Sequence, residues 1–169
     1  QSEAEAPRRH SMAKRQSAGL LMYRRQEGLL EIFIAHPGGP RFSDRDEGVW
    51  SIPKGEWESN EIPFETAIRE FEEETGIKVP STEFFNLESI QQKGGKIVHA
   101  WAFDGQHISI EEIKSNRINI EWPKGSGKTI EILEIDRAQY FPAAVARKKL
   151  KSRQIPFIDR LELQLEKQH

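Results

Sequence analysis

The stretch Gly55–Ile77, GEWESNEIPFETAIREFEEETGI, decides how this chain is read. Pro63 suits the first turn of a helix, where its missing N–H costs nothing. Gly76 suits the left-handed residue just past a helix end. Phe64, Ala67, Ile68 and Phe71 follow i, i+3, i+4, i+7 spacing, which predicts an amphipathic helix over Pro63–Thr75 with its apolar stripe against a core. The segment Arg69-Glu70-Phe71-Glu72-Glu73-Glu74 places four carboxylates in five positions of that helix. Glu70, Glu73 and Glu74 are related by i+3 and i+4 and share a face, while Glu72 points elsewhere. Like charges at this spacing repel, so the cluster is costly unless something positive sits among them. Hard cations seek oxygen, and Mg²⁺ in particular takes a few carboxylates together with waters and phosphate oxygens. A solvated glutamate face is the commoner fate of such a helix, and the helix taken alone favours it.

Around the helix, Ala18–Arg24 and Leu29–Ala35 read as strands joined by a turn at Gln26-Glu27-Gly28. His36-Pro37-Gly38-Gly39-Pro40 ends the second strand, residues 41–48 form a polar loop, and Val49–Ile52 is a short strand stopped by Pro53. Further strands are expected at Glu83–Gln92 and Lys96–Phe103, then a short helical piece at Glu111–Asn116. Strand segments follow at Ile118–Trp122 and Thr129–Ile135, on either side of a loop at Pro123–Lys128. Pro142–Lys151 and Pro156–Lys167 read as two C-terminal helices, the last amphipathic through Ile158, Leu161 and Leu165. The expectation is an α/β fold, a mixed sheet flanked by helices, with a disordered leader over 1–14 and a single domain over 15–169. No exposed heptad or sheet edge specifies an oligomer.

The 169 residues are 36% apolar and 31% charged, with a net charge of −2, enough for one domain with a core and a heavily solvated surface. No basic excess points to a nucleic-acid partner. With no cysteine, disulfides, thiolate zinc sites and cysteine nucleophiles are excluded, and a reducing cytoplasm is compatible. No apolar run reaches the roughly 18 residues that span a bilayer. No secretory signal is expected, because Gln1–Gln16 is polar and carries Arg8, Arg9, Lys14 and Arg15.

The wider spacing overturns the bland reading of the helix. Gly55, Glu61, Arg69, Glu70, Phe71, Glu73, Glu74, Gly76 and Ile77 fit G-x5-E-x7-R-E-U-x-E-E-x-G-U, with U apolar, in one 23-residue window. This resembles the box of the Nudix (MutT-like) hydrolase family, and the lead-in Trp50–Gly55 looks like the segment that enters it. Gly19-Leu20-Leu21 and Pro53-Lys54-Gly55 are similar to small bacterial pyrophosphohydrolases and diadenosine tetraphosphate hydrolases of that family. The resemblance implies an α/β/α sandwich and Mg²⁺-dependent hydrolysis (Mn²⁺ substituting) of a nucleoside diphosphate linked to another moiety. It implies that Glu70, Glu73, Glu74 and the Gly55 carbonyl hold metal, with Glu73 or Glu74 serving as base in different members. Arg69 holds the cluster by ion pairing, and Glu61 is structural. A further carboxylate comes from a later strand or loop; Glu134 is the candidate, with Glu131 behind it. Lys54 is expected to bind substrate phosphate. The resemblance leans toward a dinucleoside polyphosphate as substrate. Nucleoside triphosphates and nucleotide sugars, a non-catalytic nucleotide sensor, and a 5′-RNA pyrophosphohydrolase are the competing readings.

Other features are read as structural. Gly125-Ser126-Gly127-Lys128-Thr129 resembles a P-loop, but the rule needs glycine where Trp122 stands, so the segment is a hairpin loop with Lys124 or Lys128 near phosphate as the sharper alternative. Trp101, with His99 on the same strand face, is expected to pack in the core rather than stack on a base. Arg41, Arg45, Asp46 and the run Arg147, Lys148, Lys149, Lys151, Arg153 read as solvated.

Overall fold

The structure is a computed structural model and describes residues 15–111 and 113–168, so the expected leader over 1–14 lies outside the described residues. The elements are β1 (Gln16–Gln26), β2 (Leu29–Pro37), β3 (Lys54–Glu56), α1 (Pro63–Thr75), β4 (Phe85–Gln91), β5 (Ile97–Asp104), β6 (Arg117–Glu121), β7 (Thr129–Leu133), β8 (Ile135–Pro142), α2 (Ala143–Lys149) and α3 (Ile155–Glu166). A 3-10 turn at Ser152–Gln154 joins the last two helices.

Strand β1 is the hub. It pairs antiparallel with β2 and with β3, and parallel with β5. The sheet order is β4-β5-β1-β2-β8, with β3 against β1. The β1–β2 turn uses positive φ at Glu27 and Gly28, the mirrored turn whose twist matches the strands it joins. Alternation along β1 feeds two cores. Leu21 and Tyr23 face Phe157, Ile158 and Leu161 of α3, whereas Ala18, Leu20 and Met22 face Ala67 and Phe71 of α1. The result is the expected α/β/α sandwich around a mixed sheet.

Helix α1 has the expected bounds, and Gly76 closes it at φ 77° with its N–H bonded to Glu72 O. Thr75 Oγ1 donates to Phe71 O and accepts from Ile77 N, which ties the helix end to the chain that leaves it. Phe71 is fully buried against Phe33 and Phe103.

Several expectations need correction. The described residues of 111–116 carry no helix; Ser115 instead accepts a backbone bond from Ile135 and braces a connection. The Val49–Ile52 strand reduces to isolated bridges at Trp50 and Ser51, and the pairing passes to Lys54–Glu56. The strand expected over Thr129–Ile135 breaks at Glu134, and β8 begins at Ile135. β8 pairs with β2 alone, an edge position that accepts its polar sequence. Strands β6 and β7 form a separate two-stranded sheet.

Phe71→Ala is expected to cost about 3–5 kcal/mol, because it empties a ring site shared by helix and sheet. Denaturant unfolding checks this; a loss under about 1 kcal/mol would mean that α1 is not anchored as described.

Candidate metal and phosphate site

The face of α1 opposite its apolar stripe meets strand β3. Gly55 of β3 pairs with Ala18 of β1, which brings its backbone onto the Glu70 side chain. A Cβ at position 55 would overlap the Glu70 carboxyl group and push that side chain aside, so glycine is what lets the backbone and the carboxylate come together. Arg69 then organises the acidic residues. Its guanidinium donates to Glu61 Oε2 at 3.1 Å, Glu70 Oε2 at 2.9 Å and Glu73 Oε1 at 3.3 Å. Glu61 uses its other oxygen to accept from Glu58 N, and so fastens the loop before α1 to the helix. Glu72 turns away, as its helical position requires, and accepts from Val79 N.

Glu74 lies deepest, at 4% exposure, and its Oε2 has no hydrogen-bond partner. Burial first, and then the nearby Glu134 and Glu70, push its carboxyl group up to about 9. Glu134 sits between β7 and β8, fixed by its N–H to Asn116 O and by its carbonyl accepting from Gly38 N. Burial and the charge of Glu70 raise its carboxyl group as well. Glu131, the other candidate, points to the surface beside Arg117.

Across a cleft of about 140 Å³, Lys54 and Lys151 face Glu74 and Glu134. Burial, then Lys96 and Lys151, push the Lys54 ammonium down to about 8. Burial and then Lys96 also lower Lys151. Lys151 belongs to the run read from sequence as a solvated helix face; it lies just past α2, exposed to solvent as expected, and also lines the cleft. Its neighbours in the run do behave as surface groups: Arg147 pairs with Asp159 and Glu162, and Lys149 with Asp46. Trp101 packs on Phe64, and His99 stacks on it at 4.3 Å, away from the cleft.

Among the described residues, no three carboxylates or imidazoles close into a metal cage. Glu70 and Glu73 are held by Arg69 instead. The donor set nevertheless fits a hard cation. It offers carboxylate oxygens, a buried Glu74 oxygen without a partner, and an adjacent cleft with room for water and phosphate.

Comparison with known proteins bears on this geometry. The family model described as NUDIX domain matches residues 13–161. The fold is similar to that of a Caenorhabditis elegans Ap4A hydrolase binary complex, at 19% identity and a TM-score of 0.61, covering 90% of this chain and 98% of that one. It is also similar to the NUDIX domain of Shewanella oneidensis NrtR complexed with ADP-ribose, at 12% identity and 0.62, covering 90% and 89%. The Nudix hydrolase RenU of M. smegmatis gives 16% identity and 0.55, covering 90% and 86%. No curated protein sequence matches.

In the metal-free protein the raised Glu74 carboxyl favours the folded state below its unfolded value of 4.5. That contribution is lost as pH rises through about 9. Glu74→Gln is therefore expected to melt roughly 5 °C or more above the parent at pH 8 in chelator, with the gap shrinking toward pH 4.5. Thermal melts at the two pH values check this; a variant that melts below the parent at pH 8 would contradict it.

Proposed function

The chain belongs to the Nudix family as a pyrophosphohydrolase, and from that premise we propose that it uses Mg²⁺ to cleave the diphosphate bond of a nucleoside diphosphate linked to another moiety. The observation that carries the proposal is the unpartnered Glu74 oxygen, buried beside Glu70, Gly55 and Glu134 and facing Lys54 across the cleft. Under this reading Glu70, Glu73, Glu74, Glu134 and the Gly55 carbonyl hold the cation. When bound, Mg²⁺ neutralises the diphosphate and makes water more acidic; Mn²⁺ does the same. Glu73 is the more exposed of the helix carboxylates, with a side chain 45% accessible against 17% for Glu70, and we assign it the proton of the attacking water. Arg69 orients Glu70 and Glu73. Lys54 and Lys151 hold non-bridging phosphate oxygens from the opposite wall, where charge develops during the displacement.

The similar Ap4A hydrolase and the ADP-ribose complex support a nucleotide as substrate, and a dinucleoside polyphosphate such as diadenosine tetraphosphate is our first choice. The ion pairs that occupy Arg147 and Lys149 favour a small nucleotide over a 5′-RNA end. A single domain over 15–169, with a cytoplasmic setting compatible with a cysteine-free chain, completes the proposal. No described helix is long and apolar enough to cross a membrane.

Product analysis with Mg²⁺ tests the reading on Ap4A, ADP-ribose, nucleotide sugars, nucleoside triphosphates and 5′-triphosphate RNA. Turnover of one class is expected, reduced by roughly 100-fold or more in Glu73→Gln. Binding without cleavage across the whole panel would put a nucleotide sensor in its place.

A further inference from the structure

The β6–β7 hairpin leaves an apolar face that neither core covers. Strand alternation puts Ile118, Ile120 and Trp122 on one side of the hairpin, and Ile132 pairs with Ile118 in register. None of these side chains belongs to the two clusters that flank the main sheet. They line a cavity of about 600 Å³ whose other wall is the loop from Pro37 to Phe42. An isolated two-stranded sheet is marginal in water, and this one is braced instead at both ends. At its base Glu134 N donates to Asn116 O, and Gly38 N to Glu134 O. At its tip Trp122 N donates to Lys128 O, and Gly127 N to Glu121 Oε2. The glycine-rich segment that resembles a P-loop is thus the turn of this hairpin.

The facing loop is equally fixed. Gly39 lies so close to Ile132 that a Cβ there would come within 2.7 Å of it. Buried His36 bridges Arg45 O and the Asp136 carboxylate, which holds the far end of the loop against β8. Phe42 is therefore presented to the cavity from one wall and Trp122 from the other. Arg41 and Lys124 also line it, together with Glu121 and Glu134.

We propose that this cavity is the nucleobase subsite, with the hairpin and the Pro37–Phe42 loop gripping the planar ring of a nucleotide whose phosphates lie in the carboxylate cleft. The inference rests on the hydrolase reading for what occupies the cleft. Continuity carries it: Pro37 and Glu134 line both spaces, so a ligand on the carboxylates extends past Glu134 directly into the cavity. The chemistry agrees. The cavity is of the size that takes small ligands, and its lining is mostly apolar with Arg41, Lys124, Glu121 and Glu134 as its charged groups. A base has two apolar faces for Phe42 and Trp122 and a polar edge for Arg41, and stacking on aromatic side chains accepts any base. Hydrocarbon alone would not call for charged side chains of either sign beside it.

Binding, read by calorimetry and by tryptophan fluorescence in Mg²⁺, tests the subsite without turnover. The probes are α,β-methylene-ADP, which carries a base, and methylenediphosphonate, which does not. Trp122→Ala is expected to weaken the nucleotide roughly tenfold or more while leaving methylenediphosphonate roughly unchanged; Trp122→Phe restores most of the affinity. Nucleotide is expected to change the emission of the parent more than that of Trp122→Phe. Unchanged nucleotide affinity in Trp122→Ala, equal weakening of both probes, or no nucleotide binding by the parent would each overturn the subsite. A parent that binds nucleotide with this pattern but cleaves nothing would sink the hydrolase reading and leave the subsite standing.

Discussion

One guanidinium set among three carboxylates is the constraint on which the rest of the site depends. Glu70, Glu73 and Glu74 share a helix face because of their spacing, and their mutual repulsion would splay them apart. Arg69 spends its donors on Glu61, Glu70 and Glu73, which gathers the loop, the helix start and two of the acidic side chains around one charge. Exposed ion pairs of this kind are worth roughly 0–1 kcal/mol each, so their contribution to global stability is small. What they supply is position. Glu74 has no such partner, and burial holds its carboxyl group in the neutral form up to about 9, while Phe71 anchors the same helix from its other side.

The sheet completes the arrangement by placing opposite signs on opposite walls. Strand β3 carries Gly55 against Glu70 and Lys54 into the cleft, so two consecutive residues serve the acidic and the basic side. Burial raises Glu74 and lowers Lys54; each charge is disfavoured where it sits, and neither is cancelled by the other. A ligand that brings a cation to one wall and phosphate to the other relieves both at once. Under the proposed function, that is the electrostatic logic by which a cleft lined by four ionisable groups would take a metal–diphosphate ligand.

Helix α1 was fully legible in the sequence because its signals are local: a proline at the first turn, an apolar stripe at helical spacing, a glycine at the end. The hub strands were legible as continuous apolar runs. Strand β8 was not, since an edge strand with Asp136, Arg137 and Gln139 has neither the alternation nor the apolar content that marks a strand. The choice between Glu134 and Glu131 likewise had no local signal. The chain breaks its pairing at Glu134 and turns it inward, and that depends on Gly38 and Asn116, each distant in sequence. Lys151 is solvated like the rest of its basic run, and nothing local marks it as the member that also lines the cleft, at the 3-10 turn that separates α2 from α3. Phe42 and Trp122 line one cavity only because two connections fold toward one another. The acidic helix, Gly55 and Lys54 were thus marked by spacing within one segment and Glu134 was named as a candidate, whereas Lys151 and the way these groups come together had to be seen in three dimensions.

The most direct measurement of the central claim is a Mn²⁺ titration followed by the electron paramagnetic resonance signal of the free ion, with Mg²⁺ as competitor. The account predicts that the parent protein takes up Mn²⁺, that Mg²⁺ displaces it, and that Glu70→Gln weakens uptake by roughly tenfold or more while the protein remains folded. Uptake equal in parent and variant, or no uptake by the parent, would contradict the assignment of the α1 carboxylates to a divalent cation.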